Sequence, residues 1–212
     1  MFAMIKPAGR PRAADLEARN DNLIRTAGQL FLQHGYGKVS LELIAREAHV
    51  AVRTIYVKFG GKSGLFQAVL IANRNKFIAP QQMEQDARPL TEIIGEFSEH
   101  FLDMISAPDA LEVQRMVIAE ARSNPEMAQS FFEAGPLQTR QMLARFFARP
   151  DIRAQLRDDL DLVLLPGFLL NCVTGDNFSR FLFNPSEQPR QEVTRHLHKR
   201  LELFYASVLK KE

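Results

Sequence analysis

Cysteine and long hydrophobic runs are scarce in this sequence of 212 residues. The single cysteine, Cys172, cannot form a disulfide within the chain, and its apolar neighbours favour a buried thiol. The longest apolar run, residues 162–170, is interrupted by Pro166 and Gly167 and is far shorter than the ~20 residues that span a bilayer. The first residues carry charges and lack the apolar stretch of a secretory signal. We therefore expect a cytoplasmic protein that has no membrane span.

Proline is absent between Pro11 and Pro80, so helices can form there without that interruption. Apolar residues recur at helical spacing, for example at Leu23, Ala27 and Phe31. A sustained alternation of apolar and polar residues, the pattern of a half-buried strand, is absent. Beyond Pro80, prolines divide the chain into pieces of about 10 to 23 residues, which are ordinary helix lengths. The sequence predicts an all-α fold.

A strong excess of one charge sign is also absent, since the formal net charge is +2. The charges are nevertheless divided unevenly along the chain. Residues 1–62 carry ten Lys or Arg and five Asp or Glu, whereas the remainder carries 17 and 20. Such asymmetry indicates that the basic part faces a polyanion.

Residues 40–59 have the pattern of two short helices joined by a tight turn. Ser40 is a candidate N-cap, and apolar residues follow it at i, i+3, i+4 and i+7, from Leu41 to Ala48. His49 and Val50 form a turn of the length found in helix-turn-helix units. The second helix is predicted from about residue 51 to residue 59. We interpret the pair as a DNA-binding helix-turn-helix, with a compact three-helix domain and a solvated basic face as the alternative.

The outward face of the second helix mixes hydrogen-bond donors with apolar groups, which suits base edges and phosphates. Arg53 can pair bidentately with guanine, and Val52 and Val57 can contact a thymine methyl group. Phosphate contacts are expected from Tyr56 and Lys58, and from Lys62 near the start of the next helix. The predicted DNA contacts in this region are Ser40, Val52, Arg53, Thr54, Tyr56, Val57, Lys58 and Lys62.

A short basic segment, Gly9-Arg10-Pro11-Arg12, precedes the first predicted helix. A flexible arm of this composition can place Arg10 and Arg12 in an A·T-rich minor groove, and the alternative is a tail whose charge only aids solubility. The predicted organisation is a basic arm over residues 1–13, a helix-turn-helix domain over residues 14–62 and a larger helical bundle over residues 63–212.

The segment AGQLFLQHGYGKVSLELIAREAHVAVRTIYVKFGGKSGLFQAVL resembles the N-terminal domain of the tetracycline-repressor (TetR) family. The matching features include Gly35-Tyr36, Thr54-Ile55-Tyr56, and Lys62 followed by Leu65-Phe66. Two positions depart from the family pattern: His49 stands where glycine is common, and Ala51 stands where a serine cap is common. The resemblance implies a DNA-binding regulator of transcription.

The same resemblance implies that the later helices bind a small-molecule effector. The stretch MVIAEARSNPEMAQSFFEAGPLQTRQMLARFF resembles the C-terminal domain of an AefR-like subgroup. Aromatic and methionine side chains form adaptable apolar cavities, so we predict a cavity lined by Phe97, Phe101, Met104, Met116, Phe131, Phe132, Met142, Phe146 and Phe168. Polar candidates to orient the effector are Arg115, Asn171, Thr174 and Asn177. Ordinary core packing and hydrogen bonds to buried backbone groups are the alternatives.

The resemblance further implies a homodimer. The last two predicted helices, about residues 158–183 and 189–209, are apolar enough to form a four-helix interface in a twofold dimer. Two recognition helices about one DNA turn apart then read a palindrome. The candidate interface residues are Leu165, Phe168, Cys172, Phe181, Leu197, Leu201 and Phe204.

Signals for an enzyme are weak. Glu96 with His100 and Glu192 with His196 are spaced i, i+4, whereas helical di-iron carboxylate sites use an i, i+3 spacing. Nucleophile-elbow, P-loop and dinucleotide fingerprints are missing from the sequence. We therefore expect no metal, no cofactor and no catalytic residue. We expect instead a repressor that an effector releases from DNA by shifting the helix that begins near Lys62. The alternative is a helical small-molecule-binding protein or enzyme with an incidental basic domain.

Overall fold

The computed structural model describes residues 13–77, 83, 85–183 and 189–210, and every regular element within these ranges is a helix. The predicted all-α fold is therefore confirmed. The chain divides into two compact units, Met1–Val69 and Leu70–Glu212. Among the described residues, none of the helices combines the length and the apolar character needed to cross a membrane.

The N-terminal unit contains the helix-turn-helix that the sequence predicts. Helix α1 spans Ala13–His34, α2 spans Leu41–Glu47 and α3 spans Val52–Phe59. Helix α4, Lys62–Arg74, begins in this unit and ends in the next one. Short helices joined by tight turns form here because glycines end them, as Gly60 does at φ 75° after α3.

Three aromatic rings fill the centre of the N-terminal unit. Phe31, Tyr36 and Phe66 are almost fully buried, and their ring centroids lie 5.4–5.5 Å apart. Helix α1 approaches α4 closely at Gly28, where a Cβ atom would lie 3.0 Å from Val69 Cγ1. Since the first two turns of α4 complete this core, the unit ends at Val69 and not at the predicted residue 62.

The C-terminal unit is a bundle of helices built around one hydrophobic core. Proline stands in the first turn of several of them, where its missing N–H costs little. The helices are α5 (Leu90–Ser106), α6 (Pro108–Glu120), α7 (Pro125–Phe132), α8 (Gln138–Ala148), α9 (Pro150–Arg153), α10 (Leu165–Thr174), α11 (Asn177–Phe183) and α12 (Arg190–Val208). A single π-helical turn, Glu133–Leu137, joins α7 to α8.

Helices α5, α8, α10 and α12 supply most of the core of the C-terminal unit. Phe146, Phe147 and Phe204 are completely buried at its centre. Tyr205 on α12 donates a hydrogen bond from its hydroxyl group to the carbonyl oxygen of Thr91 at 3.0 Å. Burial raises the pKa of Tyr205 to about 12 because the charged phenolate is poorly solvated there.

The predicted helix over residues 158–183 is wrong in two respects. Residues 158–164 form turns, and the helical region is broken into α10 and α11 at Gly175, which has φ 50°. Arg200 on α12 donates hydrogen bonds to the carbonyl oxygens of Cys172 (2.6 Å) and Val173 (3.0 Å), near the C-terminus of α10. The positive φ of Gly175 is strained for any residue with a Cβ atom, so the break favours glycine.

Gly64 permits a similarly close approach between α3 and α4. A Cβ atom there would lie 1.8 Å from the carbonyl oxygen of Phe59, and a backbone atom cannot move away cheaply. We expect Gly64→Ala to lower the free energy of unfolding by about 2–3 kcal/mol or more. The matched control is Gly95→Ala within α5, where an added Cβ meets nothing within 4 Å; it should raise stability by about 0.5–1 kcal/mol. Denaturant unfolding tests the pair, and equal effects would contradict the predicted clash.

Candidate functional site

The turn between α2 and α3 is a Schellman motif. The N–H of Val50 donates to the carbonyl oxygen of Ala45 at 2.9 Å, and the N–H of His49 donates to that of Arg46 at 3.2 Å. These are the 6→1 and 5→2 bonds of that motif, whose residue after the C-cap is left-handed. His49 has φ 56°, so histidine holds a conformation that normally favours glycine. The turn fixes the direction in which α3 leaves α2.

Capping differs between the two helices of the motif. The hydroxyl oxygen of Ser40 accepts a hydrogen bond from the N–H of Leu43 at 3.1 Å, which confirms the predicted N-cap of α2. Ala51 is the N-cap of α3 and supplies no side-chain hydrogen bond to its first turn. An exposed donor at this helix end is therefore left without a protein side chain to cap it.

Restoring a cap to α3 should stabilise the helix-turn-helix. We expect Ala51→Ser to raise the free energy of unfolding by about 1 kcal/mol, because the new hydroxyl oxygen can accept a hydrogen bond from the first turn. Ser40→Ala, which removes the existing cap of α2, should lower it by a similar amount. Thermal unfolding of the two variants measures both effects, and destabilisation by Ala51→Ser would refute the interpretation.

Helix α3 has one buried face and one exposed face. Ile55 is completely buried and anchors the helix. Tyr56 is 57% exposed and Val57 is 76% exposed, so both side chains present apolar surface to the solvent. Arg53 is exposed on the same helix and forms no ion pair or side-chain hydrogen bond with any residue that the structure describes. The face thus offers a free guanidinium group beside apolar surface.

The margin of α3 lies beside the first half of α1. Lys58 donates a hydrogen bond from its ammonium group to Asn20 Oδ1, and Asn22 donates to the carbonyl oxygen of Ala48 at 3.5 Å. Arg19, Asn20, His49, Thr54 and Lys58 border one groove. Arg19 and Asn20 were not predicted to lie beside α3, because they are far from it in the sequence and their only local signal is an exposed position on a helix.

The remaining predicted DNA contacts have different surroundings. Val52 and Thr54 are half-buried. The ammonium group of Lys62 lies 4.2 Å from the ring centroid of Tyr36, so it forms a cation–π contact at the start of α4. Arg10 and Arg12 lie outside the described residues.

The C-terminal unit contains a cavity of about 300 Å³. Its walls come from the last turn of α4, from α5 to α8 with the π-helical turn, and from α10 and α11. Four of the predicted residues, Phe101, Met104, Phe131 and Thr174, line this cavity. Ile105, Leu170 and Phe178 add to its apolar surface, and Arg74 and Arg140 also line it. π-helical turns occur frequently at functional sites, and here Ala134, Gly135 and Pro136 of that turn border the cavity.

The other predicted cavity residues do not border this cavity. Phe97, Met142 and Phe146 are buried in the core because they lie on the inward faces of α5 and α8. Arg115 instead donates hydrogen bonds to the carbonyl oxygens of Phe181 and Leu182. The rest are exposed, half-buried or buried elsewhere in the unit: Met116, Phe132, Phe168, Asn171 and Asn177.

The predicted dimer residues fall into two groups. Leu165, Leu197, Leu201 and Phe204 are buried in the core of this chain, and their place in a dimer interface stays a prediction. Phe168, Cys172 and Phe181 remain partly exposed. Burial raises the pKa of the Cys172 thiol above its ordinary value.

Exposed apolar side chains lie on or beside the two helices predicted to form the dimer. These are Val163 and Leu164 just before α10, Phe168 on α10 and Leu203 on α12. The two helices pack against each other, with the rings of Phe168 and Phe204 5.3 Å apart. This outward surface, Val163, Leu164, Phe168 and Leu203, is hereafter called the α10–α12 face.

The glutamates of the two i, i+4 pairs have arginine partners. Glu96 pairs with Arg88 at 2.5 Å and Glu192 with Arg195 at 3.7 Å. Within the described ranges, groups of three His, Cys, Asp or Glu residues that could hold a metal ion are absent.

Comparison with known proteins finds a family match in each of the two units. Residues 23–69 match the family model of bacterial regulatory proteins of the tetR family, and residues 92–207 match the model of the AefR-like transcriptional repressor C-terminal domain. The transcriptional repressor ComR of Escherichia coli is 34% identical over 79 residues, which are 37% of this chain and 36% of ComR. The match thus spans about a third of that relative.

Solved structures share the fold over nearly the whole chain. A TetR-family regulator from Mesorhizobium loti has a TM-score of 0.73 at 20% identity and covers 95% of this chain and 100% of its own. The flavonoid-responsive regulator FrrA has a TM-score of 0.70 at 23% identity, with 92% and 100% covered. Since the two family models match parts of both units, the chain belongs to the TetR family, with an AefR-like C-terminal domain, and is a DNA-binding transcriptional regulator.

Proposed function

We propose that the protein is a repressor that binds a palindromic operator as a homodimer and leaves it when a small molecule binds the C-terminal unit. The observation that carries this proposal is the exposed face of α3, on which an unpaired Arg53 lies beside Tyr56 and Val57. Such a surface suits the major groove, where a guanidinium group pairs with guanine and apolar groups contact thymine methyls.

Base reading and phosphate binding are divided among the side chains of the motif. Arg53, Val52 and Val57 are assigned to base edges, and Tyr56, Lys58 and Lys62 to phosphates, together with Ser40 and Thr54 at the margins. The Schellman turn holds α3 so that these contacts need little ordering on binding. Arg10 and Arg12 are assigned to the minor groove, where narrow A·T-rich segments attract arginine.

The α10–α12 face is assigned to the dimer. Contiguous exposed apolar patches on soluble proteins mark interaction sites, and isologous pairing would bring the same face of two copies together. Val163, Leu203 and Leu164 are the most exposed apolar residues of this face. Each chain has one α3, so a twofold dimer presents two copies of this helix, and these would read the two halves of a palindrome.

The cavity is assigned to the effector, and α4 to its coupling with DNA. A volume of about 300 Å³ lies at the lower end of the range for small-molecule sites. Helix α4 is continuous from Lys62, which contacts Tyr36, to Arg74, which lines the cavity. A ligand that binds more tightly when α4 is in one position increases the population of that conformation. A coupling free energy of about 1–3 kcal/mol between ligand and DNA binding changes DNA affinity about 5- to 150-fold. FrrA, by its name, responds to flavonoids.

Family membership favours this regulator over a helical enzyme or carrier with an incidental basic domain. Its place of action would be the cytoplasm, where bacterial DNA lies.

The test is selection of genomic fragments by the purified protein at moderate salt, followed by a search for compounds that release them. We expect a small set of fragments to be retained and at least one compound to lower their affinity. Retention of fragments at only the nonspecific level would refute the proposal.

A further inference from the structure

The cavity in the C-terminal unit has an apolar body. Phe101, Met104, Ile105, Phe131, Leu170 and Phe178 form most of its surface. A ligand of on the order of 12 to 15 non-hydrogen atoms fills about 300 Å³ at the packing density of protein interiors. Its main part must therefore be hydrocarbon, either an alkyl chain or an aromatic system.

Most neutral polar groups of the cavity already donate to the protein. The hydroxyl groups of Thr139 and Thr174 donate to the carbonyl oxygens of Gly135 (3.1 Å) and Leu170 (2.9 Å) in the preceding turns. The side-chain amide of Gln114 donates to the carbonyl oxygen of Ile105 at 3.1 Å. Asn73, which also lines the cavity, accepts a hydrogen bond from Lys76 through its Oδ1. The side-chain donors left for a ligand are therefore mainly the amide of Asn73 and the two arginines.

Among the residues that the structure describes, Arg74 has no acidic partner. Its Nε is buried and has no hydrogen-bond partner, and one terminal nitrogen lies 3.9 Å from the sulfur of Met142, a weak acceptor. The pKa of Arg74 is lowered by burial and then by the nearby positive charge of Arg145. A buried cationic donor of this kind costs free energy until an anion binds it.

Arg140 is the second cation of the cavity. It is exposed and forms no ion pair or hydrogen bond with the residues that the structure describes. Within the described part of the chain, the lining of the cavity contains no Asp or Glu residue. The site thus combines two positive charges, no negative charge and an apolar body, and this combination is complementary to one class of ligand.

We propose that the effector is a lipophilic carboxylic acid, whose hydrocarbon part fills the cavity and whose carboxylate is bound by Arg74, with Arg140 as a second positive charge in the lining. The inference rests on the proposed function in that the cavity is taken as the effector site. Arginine binds carboxylates through charge-assisted hydrogen bonds, which are about twice as strong as neutral ones. Because Arg74 is the last residue of α4, the bound carboxylate acts directly on the helix assigned to coupling.

The test compares ligands that share a skeleton and differ in charge. Binding of decanoate and 2-naphthoate to the full-length protein is measured by calorimetry, together with the corresponding amides and amines. We expect at least one carboxylate to bind about 10- to 100-fold more tightly than its amide, and the amines to bind more weakly still. Binding of neither carboxylate at about 1 mM, or equal binding of carboxylate and amide, would overturn the inference.

Variants of the two arginines test which side chains cause the preference for a carboxylate. Arg74→Gln combined with Arg140→Gln should remove most of the difference in affinity between a carboxylate and its amide. Arg140→Gln alone changes an exposed position, so we expect this variant to fold normally. The control is Arg122→Gln, which removes an exposed charge outside the cavity lining and should change nothing. A ratio that persists in the double variant would overturn the inference. Selection of genomic fragments is repeated in parallel, so that a failure of ligand preference is distinguished from a failure of DNA binding.

Discussion

Replacing Arg53 by alanine is expected to abolish most sequence-specific DNA binding while leaving the protein folded. A bidentate pair with guanine contributes about 1–3 kcal/mol of discrimination, and a homodimer loses two such pairs. The affinity for the selected fragment should therefore fall roughly 30-fold to more than 10,000-fold. Stability should change little because Arg53 is exposed and has no partner among the described residues. Fluorescence anisotropy with the selected and a scrambled fragment measures the effect.

The control for Arg53→Ala is Arg122→Ala, which removes one exposed positive charge from the C-terminal unit. It should leave the ratio between specific and nonspecific affinity unchanged, since a remote charge contributes only a screened, sequence-independent attraction. If Arg53→Ala lowers binding to both fragments equally, Arg53 contacts phosphates and not bases, and its assignment to base reading is wrong.

Replacing Leu203 by glutamate is expected to convert the proposed dimer into monomers. Leu203 is 72% exposed, so the change costs little within one protomer, but it would bury a carboxylate at the twofold interface assigned to the α10–α12 face. A monomer occupies only one half-site, and operator affinity should fall at least about 1,000-fold because the two half-sites no longer bind as one unit. Analytical ultracentrifugation and anisotropy measure the two consequences.

Ile118→Glu is the matched control for the interface. Ile118 on α6 is 60% exposed and apolar, but it lies outside the α10–α12 face. This variant should remain dimeric and bind the operator normally. If Leu203→Glu stayed dimeric and Ile118→Glu became monomeric, the interface would lie on α6 and not on the α10–α12 face.

The helix-turn-helix was predictable because its signals are local. Ser40 caps α2, His49 and Val50 form the turn, and α3 ends at Phe59, all within two residues of the prediction. Each of these features depends on neighbours within about one helical turn, and a sequence records those neighbours directly. The unit boundary was less predictable, because the burial of Leu65 and Phe66 depends on contacts with distant α1.

The cavity and the dimer face were predictable only in part. Helical periodicity identifies an inward face, but it does not distinguish a side chain that borders a void, such as Phe101, from one that fills the core, such as Phe97. The same limit applied to α12, where Leu201 and Phe204 pack inside the protomer and Leu203 faces outward. Arg200 binds the carbonyl groups at the end of α10 from about seven turns further along the chain, and no local signal in the sequence records that contact.

In the proposed function, two copies of α3 read DNA in a twofold arrangement. Footprinting of the full-length protein on a selected genomic fragment tests this arrangement. We expect a protected region with twofold sequence symmetry, whose half-site centres lie about one helical turn, ~10 base pairs, or a multiple of it apart. Protection of a single half-site, or uniform protection along the fragment without symmetry, would contradict it.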